Sequence, residues 1–241
     1  MAHALPSYTF STFDVPRKVC DSLDASTHRF WWNPKKEKGS FLAWKSWDQL
    51  CLPKNKGGLG FRRAKDFNEA LIAKLTWMIV SNRESICMSP LWSKYKVNSD
   101  WLGKDPCKNV SQSWKAIERM KTLISKGACF LVGDGAMIDI WKDPWVPWLP
   151  NFTPSPKDSS TAPRPLVVAC LINQATRSWN IGMLEALFNA DLVEAILNIP
   201  IPSFPKPDRL VWIADPKGLF SIKSTLKTHQ IPTAVEPSNT P

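Results

Sequence analysis

Eleven lysines and arginines fall between His28 and Leu75 against four acids, a local excess of seven in a chain whose whole net charge is +10. Large aromatic residues are threaded among them: Trp31, Trp32, Phe41, Trp44 and Trp47. Cations at this density draw in a polyanion, because its condensed counterions are released on contact. Rings between the cations can stack on bases. The pattern therefore points to nucleic acid. Lys35, Lys36, Lys38, Lys54, Lys56, Arg62 and Arg63 are the candidate phosphate contacts, and Trp31 and Trp32 the candidate stacking rings. A solvated basic surface has the same composition, and most of these tryptophans are expected to serve a core.

Other chemistries find less support. Pro53-Lys54-Asn55-Lys56-Gly57-Gly58-Leu59-Gly60-Phe61 is glycine-rich, yet it matches neither the phosphate-binding loop nor the dinucleotide fingerprint. A tight turn needing positive φ explains it better. Two-metal nucleotidyl transfer or cleavage needs clustered carboxylates. The sequence has no Asp-Asp pair, and Asp134, Asp139 and Asp143 do not follow the spacing of a calcium loop. His3, His28 and His229 stand apart, with no nucleophile elbow. The six cysteines lie singly and without paired spacing, which disfavours a local zinc site and, with no secretory signal, a disulfide framework. Reduced structural thiols are expected, with no catalytic residue, no metal and no cofactor in this chain.

The elements that would position the basic stretch follow from periodicity. An extended lead-in and a short helix are expected over 6–24, and an exposed turn at Lys35-Lys36-Glu37-Lys38-Gly39. A helix is expected over 66–80, with Phe67, Leu71, Leu75 and Met78 as its apolar stripe and Asn68 and Lys74 off it. A second helix is expected over 113–125, with Trp114, Ile117 and Ile124 on one face, a serine cap and Gly127 beyond its end. Strands over 129–132 and 137–141 would form a hairpin through Gly133-Asp134-Gly135. Later come a strand-like run over 166–172, a helix over 183–197, and a hairpin around Asp215-Pro216-Lys217-Gly218. The fold class is α+β, mostly helical and then small hairpins, with long loops. The expected divisions are a basic helical region 1–82, a connector 83–145, a proline-rich linker 146–165, a strand, helix and hairpin region 166–228, and a disordered tail 229–241.

A family resemblance rests on ordered short motifs. They are Phe30-Trp31-Trp32, Trp44-Lys45-Ser46-Trp47-Asp48-Gln49-Leu50-Cys51-Leu52-Pro53-Lys54, Gly57-Gly58-Leu59-Gly60-Phe61 and Phe67-Asn68-Glu69-Ala70-Leu71-Ile72-Ala73-Lys74. The order continues through Ser113-Trp114, Gly127, Val132-Gly133-Asp134-Gly135, Ile140-Trp141-Lys142-Asp143-Pro144-Trp145, Asp208-Arg209-Leu210-Val211-Trp212 and Gly218-Leu219-Phe220-Ser221-Ile222-Lys223-Ser224. In this the chain resembles plant LINE-type (non-LTR) retrotransposon polyproteins. The matching region follows the reverse transcriptase palm, spanning thumb and connector up to the start of a zinc-binding segment. Phe130 stands where the family usually has Trp.

The resemblance implies that RNA-directed DNA polymerisation, often joined to RNase H, belongs to the parent polyprotein, whose polymerase would use Mg2+. Its catalytic carboxylates would lie before Met1, and the zinc ligands beyond Pro241. Expected partners are RNA, DNA or an RNA–DNA hybrid, and the polymerase domains of the parent. No apolar run approaches the ~20 residues of a membrane span, so no membrane partner is expected. The location should be intracellular, in nucleus or cytoplasm, and not secreted. A truncated relic without function and a protein-interaction module are the alternatives to nucleic-acid binding.

Overall fold

A computed structural model describes residues 7–35, 40–81, 88–97, 99–158 and 165–229. Lys36, Lys38, His3, Cys87 and the tail over 230–241 lie outside the described residues. The chain forms two compact units, each drawn from more than one stretch of sequence. One comprises Met1–Thr76, Pro106–Met120 and Ser221–Pro241; the other comprises Trp77–Asp105 and Lys121–Phe220.

In chain order the helices of the first half are α1 (Ser7–Thr12), α2 (Arg17–Trp32), α3 (Trp47–Cys51), α4 (Ala64–Val80), α5 (Met88–Tyr95), α6 (Gln112–Arg119) and α7 (Lys121–Ser125). Strand β1 (Ala128–Leu131) follows, then β2 (Ile172–Asn173) and β3 (Ser178–Trp179). The chain continues with α8 (Ile181–Leu187), α9 (Ala190–Leu197), β4 (Arg209–Trp212) and α10 (Ile222–His229). The α+β class read from the sequence is therefore the one observed. Among the described residues no helix is long and apolar enough to cross a membrane.

The first unit is built around α4. Phe10, Val15, Cys20, Ala64 and Leu71 form its core, with Leu23, Phe67 and Ile222 packed against it. Asn68, expected off the apolar stripe, is wholly buried. Its Oδ1 accepts from the Val15 backbone N–H at 2.9 Å, and its Nδ2 donates to the carbonyls of Phe10 at 2.7 Å and Phe13 at 2.8 Å. One amide thus satisfies three backbone groups where the chain turns between α1 and α2, which is why a polar residue is held in this interior.

An ion network fixes the same turn. Asp14 receives Lys65 Nζ at 2.7 Å and Arg119 Nη1 at 2.9 Å, and Glu69 Oε1 stands 3.8 Å from Lys65 Nζ and 3.7 Å from Arg119 Nη2. Burial alone pushes the Asp14 carboxyl upward, but the hydrogen bonds and charges of Arg119 and Lys65 more than offset it, leaving the group below its ordinary value. A lowered carboxylate stabilises the fold above its unfolded-state pKa, and that stabilisation is lost as pH falls through the folded value. Asp14→Asn should therefore cost about 1 kcal/mol at pH 7. In urea titrations the gap from the parent chain should narrow as pH falls toward 3; a gap constant with pH would contradict this.

The second unit has a larger apolar core in which Val132, Ile138, Ile140, Trp145, Val168, Leu171, Leu184, Phe188 and Ile196 meet. The hairpin expected over 129–141 does not form. Instead β1 pairs antiparallel with β4, setting Ala128 opposite Trp212 and Leu131 opposite Arg209. Residues 137–141 pair instead with the 166–168 stretch, as an isolated bridge between Asp139 and Val167. The physical reason lies in Asp208, whose carboxylate accepts from the N–H groups of Gly133 at 2.7 Å, Gly135 at 3.0 Å and Met137 at 3.0 Å. A carboxylate that collects three amides from one loop bends that loop around itself, and the two-residue hairpin geometry is lost. Side chains are barred there as well. A Cβ at Gly133 would strike the Lys206 carbonyl, and Gly135 holds φ +74° against the Ala169 backbone.

Other expectations are revised in the same way. The helix over 113–125 is two helices, α6 and α7, with Ser111 as N-cap accepting from Trp114 N, and Met120 between them. The helix over 183–197 breaks into α8 and α9, because Phe188 turns extended to bury its ring and Asn189 stays extended ahead of the next helix, without a side-chain cap hydrogen bond. The run over 166–172 is a 3-10 turn, Val168–Leu171, entering β2, which pairs with β3. The Asp215–Gly218 turn is present, with Gly218 at φ +68° and Trp212 N donating to Gly218 O at 3.0 Å. Only its first flank is a strand, since Ile222 opens α10. Within 146–165, expected as linker, Val146 and Pro154 are buried and Leu149 packs on the core.

Candidate nucleic-acid interface

The C-terminal turn of α2 brings His28, Arg29 and Trp31 to one end of the first unit. His28 is held by Phe41 at 5.7 Å and Trp47 at 5.9 Å between ring centroids, and its Nε2 lies 2.9 Å from the Lys45 carbonyl. Arg29 sits over the Phe41 ring at 5.1 Å. Phe61 closes the cluster, 5.1 Å from Trp31 and 5.3 Å from Trp47. Rings from four separate stretches of sequence thus make one aromatic patch, and the cations sit on the segments leading into and out of it.

Sequence grammar explains how the patch is held. Ser46 and Gln49 form a reciprocal capping box that starts α3, and Leu50 on that helix is buried. The glycine loop then folds back on α3: Leu59 N and Phe61 N both donate to Leu50 O, at 3.0 and 3.3 Å. Lys54–Lys56 form one 3-10 turn closed by Gly57 at φ +79°, so the glycine supplies a left-handed conformation. Lys45 Nζ reaches the Gly57 carbonyl at 3.3 Å.

Of the seven candidate cations, five are described, and all five are exposed: Lys35, Lys54, Lys56, Arg62 and Arg63. Arg63 is partly neutralised by Asp48 at 2.8 Å. Burial opposes its charge, and the Asp48 carboxylate more than offsets that, so its pKa is raised. Arg62 stands 5.7 Å from the Phe67 ring centroid. Trp31 keeps 48% of its surface exposed, whereas Trp32 is partly buried and its indole N–H is shut off from solvent. Of the two candidate rings, Trp31 is thus the accessible one. The sequence reading did not select Trp44 as a site residue, yet it is 79% exposed beside Lys45. The available signal was its place two residues before the capping serine, where a side chain projects ahead of the helix.

The three loop acids singled out in the sequence have structural partners. Asp134 Oδ1 accepts from Ala136 N, Asp139 Oδ1 from Trp141 N and Lys142 N, and Asp143 Oδ2 from Asp139 N. These three carboxylates cap backbone turns, and the set does not fit a Mg2+ site. Among the described residues no three His, Cys, Asp or Glu side chains group to hold a metal ion. Burial pushes the thiol of Cys51 up to about 11 and that of Cys129 up to about 12, so both stay protonated at neutral pH.

Fold and surface together define a basic α+β chain with an aromatic patch rimmed by cations. Comparison with known proteins adds its kinship. Over 144 residues it is 32% identical to "Uncharacterized mitochondrial protein AtMg00310" of Arabidopsis thaliana, covering 59% of this chain and 93% of that protein. The chain belongs to the same family as that protein. It is also 30% identical over 234 residues to "Putative ribonuclease H protein At1g65750" of the same plant, a match covering 92% of this chain and 36% of that protein. This chain therefore spans about a third of the longer relative. Both relatives are plant proteins, consistent with a plant retrotransposon origin. No family model matches the chain. No solved structure matches it.

Proposed function

We propose that this chain is the post-palm, thumb-and-connector region of a retrotransposon-type reverse transcriptase, and that it binds nucleic acid without sequence preference. The observation that carries this reading is the set of exposed cations at Lys35, Lys54, Lys56, Arg62 and Arg63 around the aromatic patch. Phosphates would sit on these cations, with Lys36 and Lys38 adding charge in the sequence that precedes Phe41. The ordered motifs support the polymerase assignment, and a relative named as a putative ribonuclease H protein lends support to a nucleic-acid role. The role of this region is to hold template and primer for chemistry carried elsewhere in the parent polyprotein.

The test is a gel shift of the purified chain on an RNA–DNA hybrid at several salt concentrations. Each phosphate contact contributes a slope of about 0.9 in log affinity against log salt, so changing Lys54 and Lys56 together to Ala should lower the slope by roughly two. Binding insensitive to both salt and these substitutions would remove the reading.

A further inference from the structure

We infer that Trp44 is a stacking platform for an unpaired nucleic-acid base, so that the basic face selects single-stranded over duplex nucleic acid. This deepens the nucleic-acid reading and rests on it. The ring of Trp44 is 79% exposed and makes no ring–ring contact among the described residues, unlike Trp47 and Phe61, which spend their faces on each other. An exposed indole offers a partner a large, rigid, amphipathic face.

The backbone around Trp44 is nevertheless fixed. Lys45 is pinned at both ends, its carbonyl to His28 Nε2 at 2.9 Å and its Nζ to the Gly57 carbonyl at 3.3 Å. Ser46, the next residue, is locked in the capping box: its N–H reaches Gln49 Oε1 at 3.2 Å and its Oγ accepts from Gln49 N at 3.3 Å. A large ring presented on a fixed segment loses little conformational freedom when something lands on it.

Charge names the occupant. Lys45, the next residue, reaches the Lys54–Lys56 turn at Gly57, so the segment that carries the ring is tied to a cationic turn of the kind that suits a sugar-phosphate backbone. In a duplex the base faces are stacked away, whereas an unpaired base offers its face to an indole while its phosphate meets the neighbouring cation. The surface therefore fits a single strand whose bases are free to turn outward.

The experiment measures fluorescence anisotropy of the full chain against three probes of about 20 nucleotides: oligo-dT, a blunt DNA duplex, and an abasic strand with the same backbone. Oligo-dT should bind at least about fivefold more tightly than the abasic strand. Trp44→Ala should abolish that difference, Trp44→Phe should keep most of it, and affinity for the duplex should change less than about twofold. Equal losses on oligo-dT and duplex in Trp44→Ala would overturn the inference. So would unchanged binding in Trp44→Ala alongside weakened binding in the Lys54/Lys56 variant, an outcome that leaves the nucleic-acid reading standing. A parent chain that binds none of the three probes would sink both.

Discussion

Replacing Asn68 with alanine is expected to cost about 3–4 kcal/mol, a large loss for a polar residue. The side chain is fully buried and makes three hydrogen bonds to backbone groups of Phe10, Phe13 and Val15. Alanine would leave a buried donor and two carbonyls without partners and open a small cavity beside α4. Asn68→Asp would be no better, because it keeps an acceptor for Val15 while burying a charge against two carbonyl oxygens. Urea unfolding gives the magnitude, and amide exchange gives the location, since the Val15 N–H should lose protection first. A loss below about 1 kcal/mol would show that the amide is not the clamp.

The second large effect is expected at Asp208. Its carboxylate gathers the N–H groups of Gly133, Gly135 and Met137, and β4 begins at the next residue. Asp208→Ala should cost about 2–4 kcal/mol, less than the sum of three charge-assisted bonds because the Met137 amide can turn to water. Asp208→Asn, retaining one acceptor oxygen, should fall between. Exchange at Gly133 and Gly135 should accelerate in both variants by more than elsewhere in β1 and β4. Uniform acceleration across the second unit would instead mark a general loss of packing.

These two residues also show where sequence reasoning reaches its limit. The length and type of α4 were legible because Phe67, Leu71, Leu75 and Met78 repeat at helical spacing. That pattern marks only part of the buried face, however: of those four residues just Leu71 is buried and the others are half-buried, whereas Ala70, Ile72, Ala73, Thr76 and Ile79 are buried. Asn68 therefore looked like a solvent-facing residue when it is an interior one. Asp208 poses the same difficulty at longer range. Gly133-Asp134-Gly135 carries local hairpin chemistry, but an acid 73 residues from Gly135 decides its path. Periodicity reports local preference, and non-local hydrogen bonds override it without a local trace.

Helix breaks were missed for a related reason. The stretch from Met183 to Leu197 keeps its apolar spacing across the break at Phe188, so the hydrophobic pattern reads through two extended residues, Phe188 and Asn189. For the candidate interface, the concentration of charge and the choice of cations came directly from composition. Which rings stay exposed did not. Trp31, Trp32, Trp44 and Trp47 are chemically alike in sequence, and only the folded chain shows that Trp31 and Trp44 stay exposed while Trp32 and Trp47 are half-buried.

The central claim is that nucleic acid meets this chain on the basic aromatic face of its first unit. Photo-crosslinking of a labelled RNA–DNA hybrid to the full chain, followed by mapping of the modified peptides, tests this most directly. The expected crosslinks on this hybrid fall on peptides holding Trp31, the Lys54–Lys56 turn and Arg62-Arg63. Crosslinks confined to peptides of the second unit, such as those containing β1 or α9, would contradict it.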